Sequence, residues 1–147
     1  MLVEMMKYTQ WADEKLIAVF DQQEVIPEKA SSLFSHVLNA QYIWACRILA
    51  KGPQFQVWEV HETSTYTKIS KTNFTMLAEI LKTVDLEKEI SYTNSRGESY
   101  RDLVKDILFH VFNHSTYHRG QIASLLKVHA IQPPATDYIQ LKREMYL

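Results

Sequence analysis

Apolar side chains recur every three or four positions along four segments of the chain, which is the spacing of one face of an α-helix. The first segment covers residues 3–20, VEMMKYTQWADEKLIAVF, with charged residues between the apolar ones. The second begins at Pro27, which suits the first turn of a helix, and ends near Lys51 and Gly52. Because apolar residues cover most of its circumference, we expect this second helix to be deeply buried.

Two further helices are predicted at about residues 65–84 and 100–130, the last one ended by the prolines of QPPATD. Between them, EISYTNSRGESYR alternates around Asn-Ser-Arg-Gly, which predicts a short hairpin or an extended turn. The chain has only 3 Gly and 4 Pro, fewer than the many turns of an all-β fold need. The pattern therefore predicts an all-α four-helix bundle.

The connection between the second and third helices, GPQFQVWEVHETST, shows no helical period. Its roughly 14 residues can span up to about 45 Å, which is longer than a helix of about 20 residues. It can therefore be a long crossover that returns to the other end of the bundle. Helices two and three would then run parallel, and our hypothesis is an up-down-down-up topology.

Length and charge narrow the class of protein. A chain of 147 residues has the usual size of one domain, so we expect residues 1–147 to form a single unit. The net charge of -1, from 16 basic and 17 acidic residues, argues against a nucleic-acid partner. We see neither an apolar run of about 20 residues nor an N-terminal leader pattern, so we expect no membrane partner and a cytoplasmic location.

Three of the six histidines stand at positions 110, 114 and 118, four residues apart on the predicted fourth helix. On a helical wheel, His118 lies about 30° from the mean apolar direction, His114 about 70° and His110 about 110°. His114 and His118 are therefore the inward pair, at a spacing that suits two ligands of one metal ion. His110 should lie on the flank and is the weakest candidate.

A metal site needs a third ligand from another segment. The single cysteine, Cys46, excludes a cysteine-rich site, and Ser115 stands where a zinc protease would carry glutamate. His36 is the natural candidate, because it lies in the apolar stretch LFSHVLNAQYIWA of the second helix.

The alternative interpretation is a plain bundle whose histidines only hydrogen-bond one another. Asn39 and Gln121 could orient the histidines as second-shell partners, or could equally be hydrogen bonds at helix seams. We interpret His61 and His129 as surface or hydrogen-bonded residues, and Tyr117 as a packing aromatic rather than part of a substrate cage.

Three stretches carry a resemblance to a known family. HVFNHSTYHRGQIASLL followed by PPATDYI, SHVLNAQYIWACRIL and YTQWADEKLI resemble the DinB/YfiT-like superfamily, although Asp13 stands where asparagine is common. The resemblance covers nearly the whole chain. It implies an up-down-down-up four-helix bundle in which His36, His114 and His118 hold one divalent metal ion, and dimers are common in the family.

Family members with known activities include thiol S-transferases and isomerases that use low-molecular-weight thiols such as bacillithiol or mycothiol. We therefore expect a metal-dependent enzyme that activates a small thiol or water, with a small thiol or an electrophile as partner, as a homodimer. Zn²⁺ suits three histidines best, and Ni²⁺, Fe²⁺ or Mn²⁺ are possible. The alternative is a non-catalytic, metal-binding, dimeric stress-related module.

Overall fold

The structure is a computed structural model that describes residues 1–145. A single turn of 3-10 helix, Thr63–Thr65, precedes the third helix. In chain order the described residues form α1 Leu2–Asp21, α2 Glu28–Ile48, α3 Tyr66–Thr83, β1 Glu89–Thr93, β2 Ser99–Leu103, α4 Val104–Val128 and α5 Tyr138–Met145. None of the described helices has the length and apolarity needed to cross a bilayer.

The core consists of two clusters of buried apolar side chains, one at each end of the long helices. The first joins the end of α2, the second half of α3, β1 and the first half of α4, through residues such as Cys46, Leu77, Ile90 and Leu108, and the partly buried Met5 packs against it from the start of α1. The second joins the end of α1, the first half of α2, the start of α3 and the end of α4, through residues such as Phe20, Phe34, Tyr66, Ile69 and Leu126. All four long helices thus contribute to both clusters.

A helical fold is confirmed, but the all-α class is corrected by a small antiparallel sheet. Strands β1 and β2 pair from Glu89 opposite Leu103 to Thr93 opposite Ser99. Gly97, with a φ of +81°, supplies the left-handed residue in the turn. The predicted fourth helix starts too early, at residue 100 instead of Val104, because residues 99–103 pair with β1 as a strand.

The fifth helix was not predicted. Its eight residues are polar on average, and the segment is too short for a helical period to be recognised in the sequence. Contacts with α1 hold the segment in place. Trp11 Nε1 donates a hydrogen bond to Glu144 at 2.8 Å, and Tyr8 donates one to the Thr136 carbonyl at 2.6 Å. Residues 146 and 147, which belong to the predicted domain, lie outside the described residues.

The connection between α2 and α3 lies against the first half of α2. The Asn39 side-chain amide donates to the carbonyl oxygens of Val57, at 3.3 Å, and Glu59, at 2.8 Å. The His61 backbone N–H donates to Ser35 Oγ at 3.0 Å. These bonds give the irregular backbone the partners that a helix or sheet would otherwise supply.

A polar network crosses the buried interior between α1, α2 and α4. Gln41 Nε2 donates to Asp13 Oδ2 at 2.8 Å and to Ser115 Oγ at 3.1 Å, and Arg119 lies 3.5 Å from the other oxygen of Asp13. Burial raises the pKa of Asp13 to about 6, against the opposing effects of Arg119 and Gln41. Asp13, which stands where asparagine is common in the family that the chain resembles, thus lies between Gln41 and Arg119 in this network.

Asp13→Asn should reveal the raised pKa as a pH-dependent difference in stability. Because the pKa of Asp13 is higher in the folded chain than its ordinary value of 3.8, protonation favours folding, and this stabilisation is lost as the pH rises through about 6. The free energy of unfolding of the wild type minus that of Asp13→Asn should therefore fall between about pH 4 and pH 7. Urea unfolding of both proteins with a chelator present measures it. A difference that stays constant or rises would contradict the assignment.

Candidate metal centre

Three histidines from two helices meet at one point between α2 and α4. His36 comes from the first half of α2, and His114 and His118 come from successive turns of α4. Each offers a ring nitrogen, and these three atoms lie within 4.8 Å of one another. The Nε2 atoms of His36 and His114 are 3.1 Å apart, close to the roughly 3 Å separation of two nitrogens bound about 2.1 Å from one ion.

The orientation of His36 is fixed by the crossover that follows α2. Its Nδ1 lies 3.0 Å from the Val57 carbonyl oxygen. A carbonyl oxygen can only accept, so Nδ1 carries the proton and Nε2 has a free lone pair that faces His114. The Trp58 ring stacks on the His36 ring at 3.8 Å with an interplanar angle of 7°. Burial lowers the pKa of His36, which keeps its imidazole neutral at neutral pH.

His118 has a similar partner on its own helix. Gln121 Oε1 lies 2.7 Å from His118 Nδ1. An amide oxygen accepts, so Nδ1–H donates to it and Nε2 of His118 is free to coordinate. The ring of His118 lies edge-on to both other histidines, with centroids 4.4 Å from His114 and 5.0 Å from His36.

His114 is the histidine whose proton is not held by a neighbour. Its Nδ1 is buried and has no hydrogen-bond partner within the described part of the chain. Burial, together with the nearby imidazoles of His118 and His36, lowers its pKa to about 3. With no partner to fix the tautomer, Nε2 of His114 can donate a proton to His36 Nε2 or present a lone pair to an ion.

Asn39 acts on His36 indirectly. It does not contact the imidazole, but its amide N–H shares the Val57 carbonyl with His36 Nδ1, and its Oδ1 accepts a 2.6 Å hydrogen bond from His61 Nε2. Asn39 therefore holds the crossover in the position where Val57 meets His36. The predicted hydrogen-bonded role of His61 is confirmed.

His110 lies outside the three-histidine group, in the flank position predicted from its angle on the helix. It is exposed, and its ring centroid is 5.6 Å from that of His114. With Trp44, Tyr92 and Asp102 it lines a separate cavity of about 230 Å³. His129 is also exposed and bonds the Leu125 carbonyl at the end of its helix.

The sequence did not reveal the contributions of Val57 and Trp58. Both lie in the irregular crossover, where only an alternation of apolar residues marks them. A backbone carbonyl leaves no sequence signal, since every residue has one. Trp58 would have been found only by knowing that the crossover passes over the start of α2.

A comparison with protein families now adds to this geometry. The sequence model of the DinB family matches residues 1–145. The chain belongs to the DinB family. No curated protein matches it.

In this DinB family chain the three histidines form a group that could bind a metal ion. The donor set fits such an ion in two respects: burial lowers the pKa of His36 and of His114, which favours the neutral imidazoles, and their Nε2 atoms already converge. Three imidazoles leave coordination positions open for a guest, which is the arrangement of catalytic rather than closed structural zinc sites.

Asn39→Ala should weaken metal binding without removing a candidate ligand. The variant releases the crossover at Val57 and Glu59, so His36 loses a firmly held partner for Nδ1. Loss of such outer partners typically lowers metal affinity by about 10- to 100-fold. Competition with a chromophoric zinc chelator measures the zinc affinity. Gln132→Ala, which removes a side-chain amide at an exposed position, is the matched control. Equal affinities of Asn39→Ala and the wild type would show that the crossover does not support the site.

Proposed function

We propose that His36, His114 and His118 hold one divalent metal ion and that the protein is an enzyme activating a low-molecular-weight thiol or water there. The observation that carries this proposal is the 3.1 Å approach of the His36 and His114 Nε2 atoms within a three-histidine group. Membership of the DinB family supports it. Zn²⁺ is the preferred ion for neutral imidazoles, and Ni²⁺, Fe²⁺ and Mn²⁺ suit the same donors.

When bound, such an ion lowers the pKa of a thiol or water in its open positions and so supplies thiolate or hydroxide near neutral pH. The chain's own residues hold the imidazoles for this role. Val57 keeps the proton of His36 on Nδ1, and Gln121 does the same for His118.

A thiol substrate is favoured over water by the composition of the site. The three-histidine group contains no carboxylate among the described residues, and hydrolysis usually needs a general base to direct the attacking water. A thiol needs only to lose its proton on binding, and its sulfur is then nucleophilic by itself. The partner is therefore a small thiol or the electrophile that it attacks.

We also infer an up-down-down-up four-helix bundle within a single domain. The core clusters support this, since one joins the start of α1 to the ends of α2 and α3 and the start of α4, and the other joins the opposite ends. A homodimer and a cytoplasmic location complete the proposal, with neither nucleic acid nor membrane as partner.

The second candidate is a non-catalytic, metal-binding, dimeric stress-related module. The absence of a carboxylate from the histidine group favours it, because the same site could then bind an ion without turning over a substrate. A third interpretation is a plain bundle in which His36 and His114 merely hydrogen-bond each other at 3.1 Å.

Metal analysis of protein made without a histidine tag tests the site itself. We expect about one divalent ion per chain in the wild type and its loss in His36→Ala, His114→Ala and His118→Ala, because two imidazoles rarely suffice to hold an ion. His110→Ala and His129→Ala are the matched controls and should keep the ion. Absence of metal from the wild type, or its retention in all three ligand variants, would rule out the three-histidine site.

Turnover separates the enzyme from the binding module. The zinc-loaded wild type and His36→Ala are assayed for conjugation of a chromogenic electrophile, such as 1-chloro-2,4-dinitrobenzene, with a panel of small thiols. An enzyme requires a rate that depends on metal and disappears in the variant. Metal binding with no such rate for any thiol would favour the module.

A further inference from the structure

Two large aromatic side chains stand exposed beside the three histidines. Trp58 is 58 % exposed and Tyr117 is 64 % exposed. Each nevertheless contacts a histidine of the group: Trp58 stacks on His36, and the Tyr117 ring lies edge-on to His118 with centroids 5.1 Å apart. Tyr117, interpreted from the sequence as a packing aromatic, contacts His118 but remains mostly exposed.

Both side chains are carried by well-anchored backbone. The residues on either side of Trp58, Val57 and Glu59, accept hydrogen bonds from α2 through their carbonyl oxygens. Tyr117 lies within α4, one residue before His118. Exposed rings held by fixed backbone provide contact area at little cost in conformational entropy.

We propose that Trp58 and Tyr117 form a subsite for an aromatic group of the molecule that binds at the three-histidine centre. This inference rests on the proposed function, since it assigns the substrate class of the same site. Trp58 lies parallel to the His36 ring, and Tyr117 lies at 72° to the His118 ring. An aromatic guest can pack in the offset or edge-to-face arrangements that aromatic pairs prefer.

The two rings place this subsite beside the metal centre. Trp58 covers a face of His36, and Tyr117 flanks His118, so each ring neighbours a different candidate ligand of one ion. No carboxylate of the described residues belongs to the three-histidine group. An apolar ring in the guest therefore leaves no carboxylate charge without a partner there. By contrast Phe109, also on α4 and 48 % exposed, has no ring contact with a histidine among the described residues.

Hydroxamates test the subsite, because they bind divalent metals directly and do not depend on thiol chemistry. The Co²⁺-loaded protein is titrated with acetohydroxamate, phenylacetohydroxamate and cyclohexylacetohydroxamate, and binding is followed in the cobalt absorption spectrum. Metal content is measured first in every sample. We expect phenylacetohydroxamate to bind about tenfold more tightly than acetohydroxamate and clearly more tightly than the cyclohexyl compound.

Substitutions then assign the preference to the two rings. Trp58→Leu and Tyr117→Leu should each lower the ratio of the phenyl to the methyl affinity by about threefold or more. The ratio is the readout, because the loss of either ring also removes a contact with a histidine of the group. Trp58→Phe should retain most of the ratio, because it restores a ring. Phe109→Leu is the matched control and should leave the ratio unchanged.

The outcomes separate this inference from the function on which it rests. Wild-type protein that takes up no metal overturns both. Protein that binds metal but no hydroxamate, or that shows the same ratio in all variants, overturns the subsite and leaves the metal site standing. Equal binding of the phenyl and cyclohexyl compounds overturns the aromatic assignment. If a leucine variant instead changes only the oligomeric state by light scattering, the rings contact a second copy of the chain and the subsite is rejected.

Discussion

The hydrogen bond between His36 Nδ1 and the Val57 carbonyl oxygen, 3.0 Å long, is the interaction on which the candidate site depends. It places the proton of His36 on the nitrogen that faces away from α4. Without it, the buried imidazole could adopt the other tautomer and point an N–H at His114. The crossover thus does more than connect two helices, since its backbone determines the chemical state of a side chain on α2.

The interior of the protein tolerates polar groups because they are paired across helices. Gln41 of α2 donates directly to Asp13 of α1 and to Ser115 of α4 at the seams of these helices. Burying such groups without partners would cost several kcal/mol, roughly the size of the net stability of a small domain. The neutral histidines follow the same rule, because burial lowers the pKa of His36 and His114 and removes a charge that the interior could not solvate.

His114 departs from this pattern, as does Asn73, whose buried Oδ1 also has no partner among the described residues. The Nδ1 of His114 is buried without a partner among the described residues, so its protons and lone pairs are less constrained than those of His36 and His118. A metal ion at Nε2 would take the place of the 3.1 Å contact with His36 Nε2. Val57 and Gln121 then hold the other two rings for the same ion.

Much of the fold could be predicted from the sequence, because helical periodicity is a local property. The four long helices appear within a few residues of their predicted bounds, and the angles on the helical wheel separated His114 and His118 from His110. The hairpin or extended turn predicted for EISYTNSRGESYR is confirmed as a hairpin by the pairing of β1 with β2. The failures also have a physical cause. The predicted fourth helix ran into residues 100–103, which belong to the second strand of that hairpin. α5 is an eight-residue segment held by contacts with α1.

The candidate site likewise has some features that follow from local spacing in the sequence and others that depend on tertiary contacts. The sequence by itself determined which histidines share an inward face, since that depends on the spacing along one helix. Only the tertiary structure decided that Val57 would orient His36, that Asn39 would act through the crossover and that Trp58 would cover the imidazole. Those contacts join residues about 20 positions apart through a segment without periodicity, and no local pattern encodes where such a segment passes.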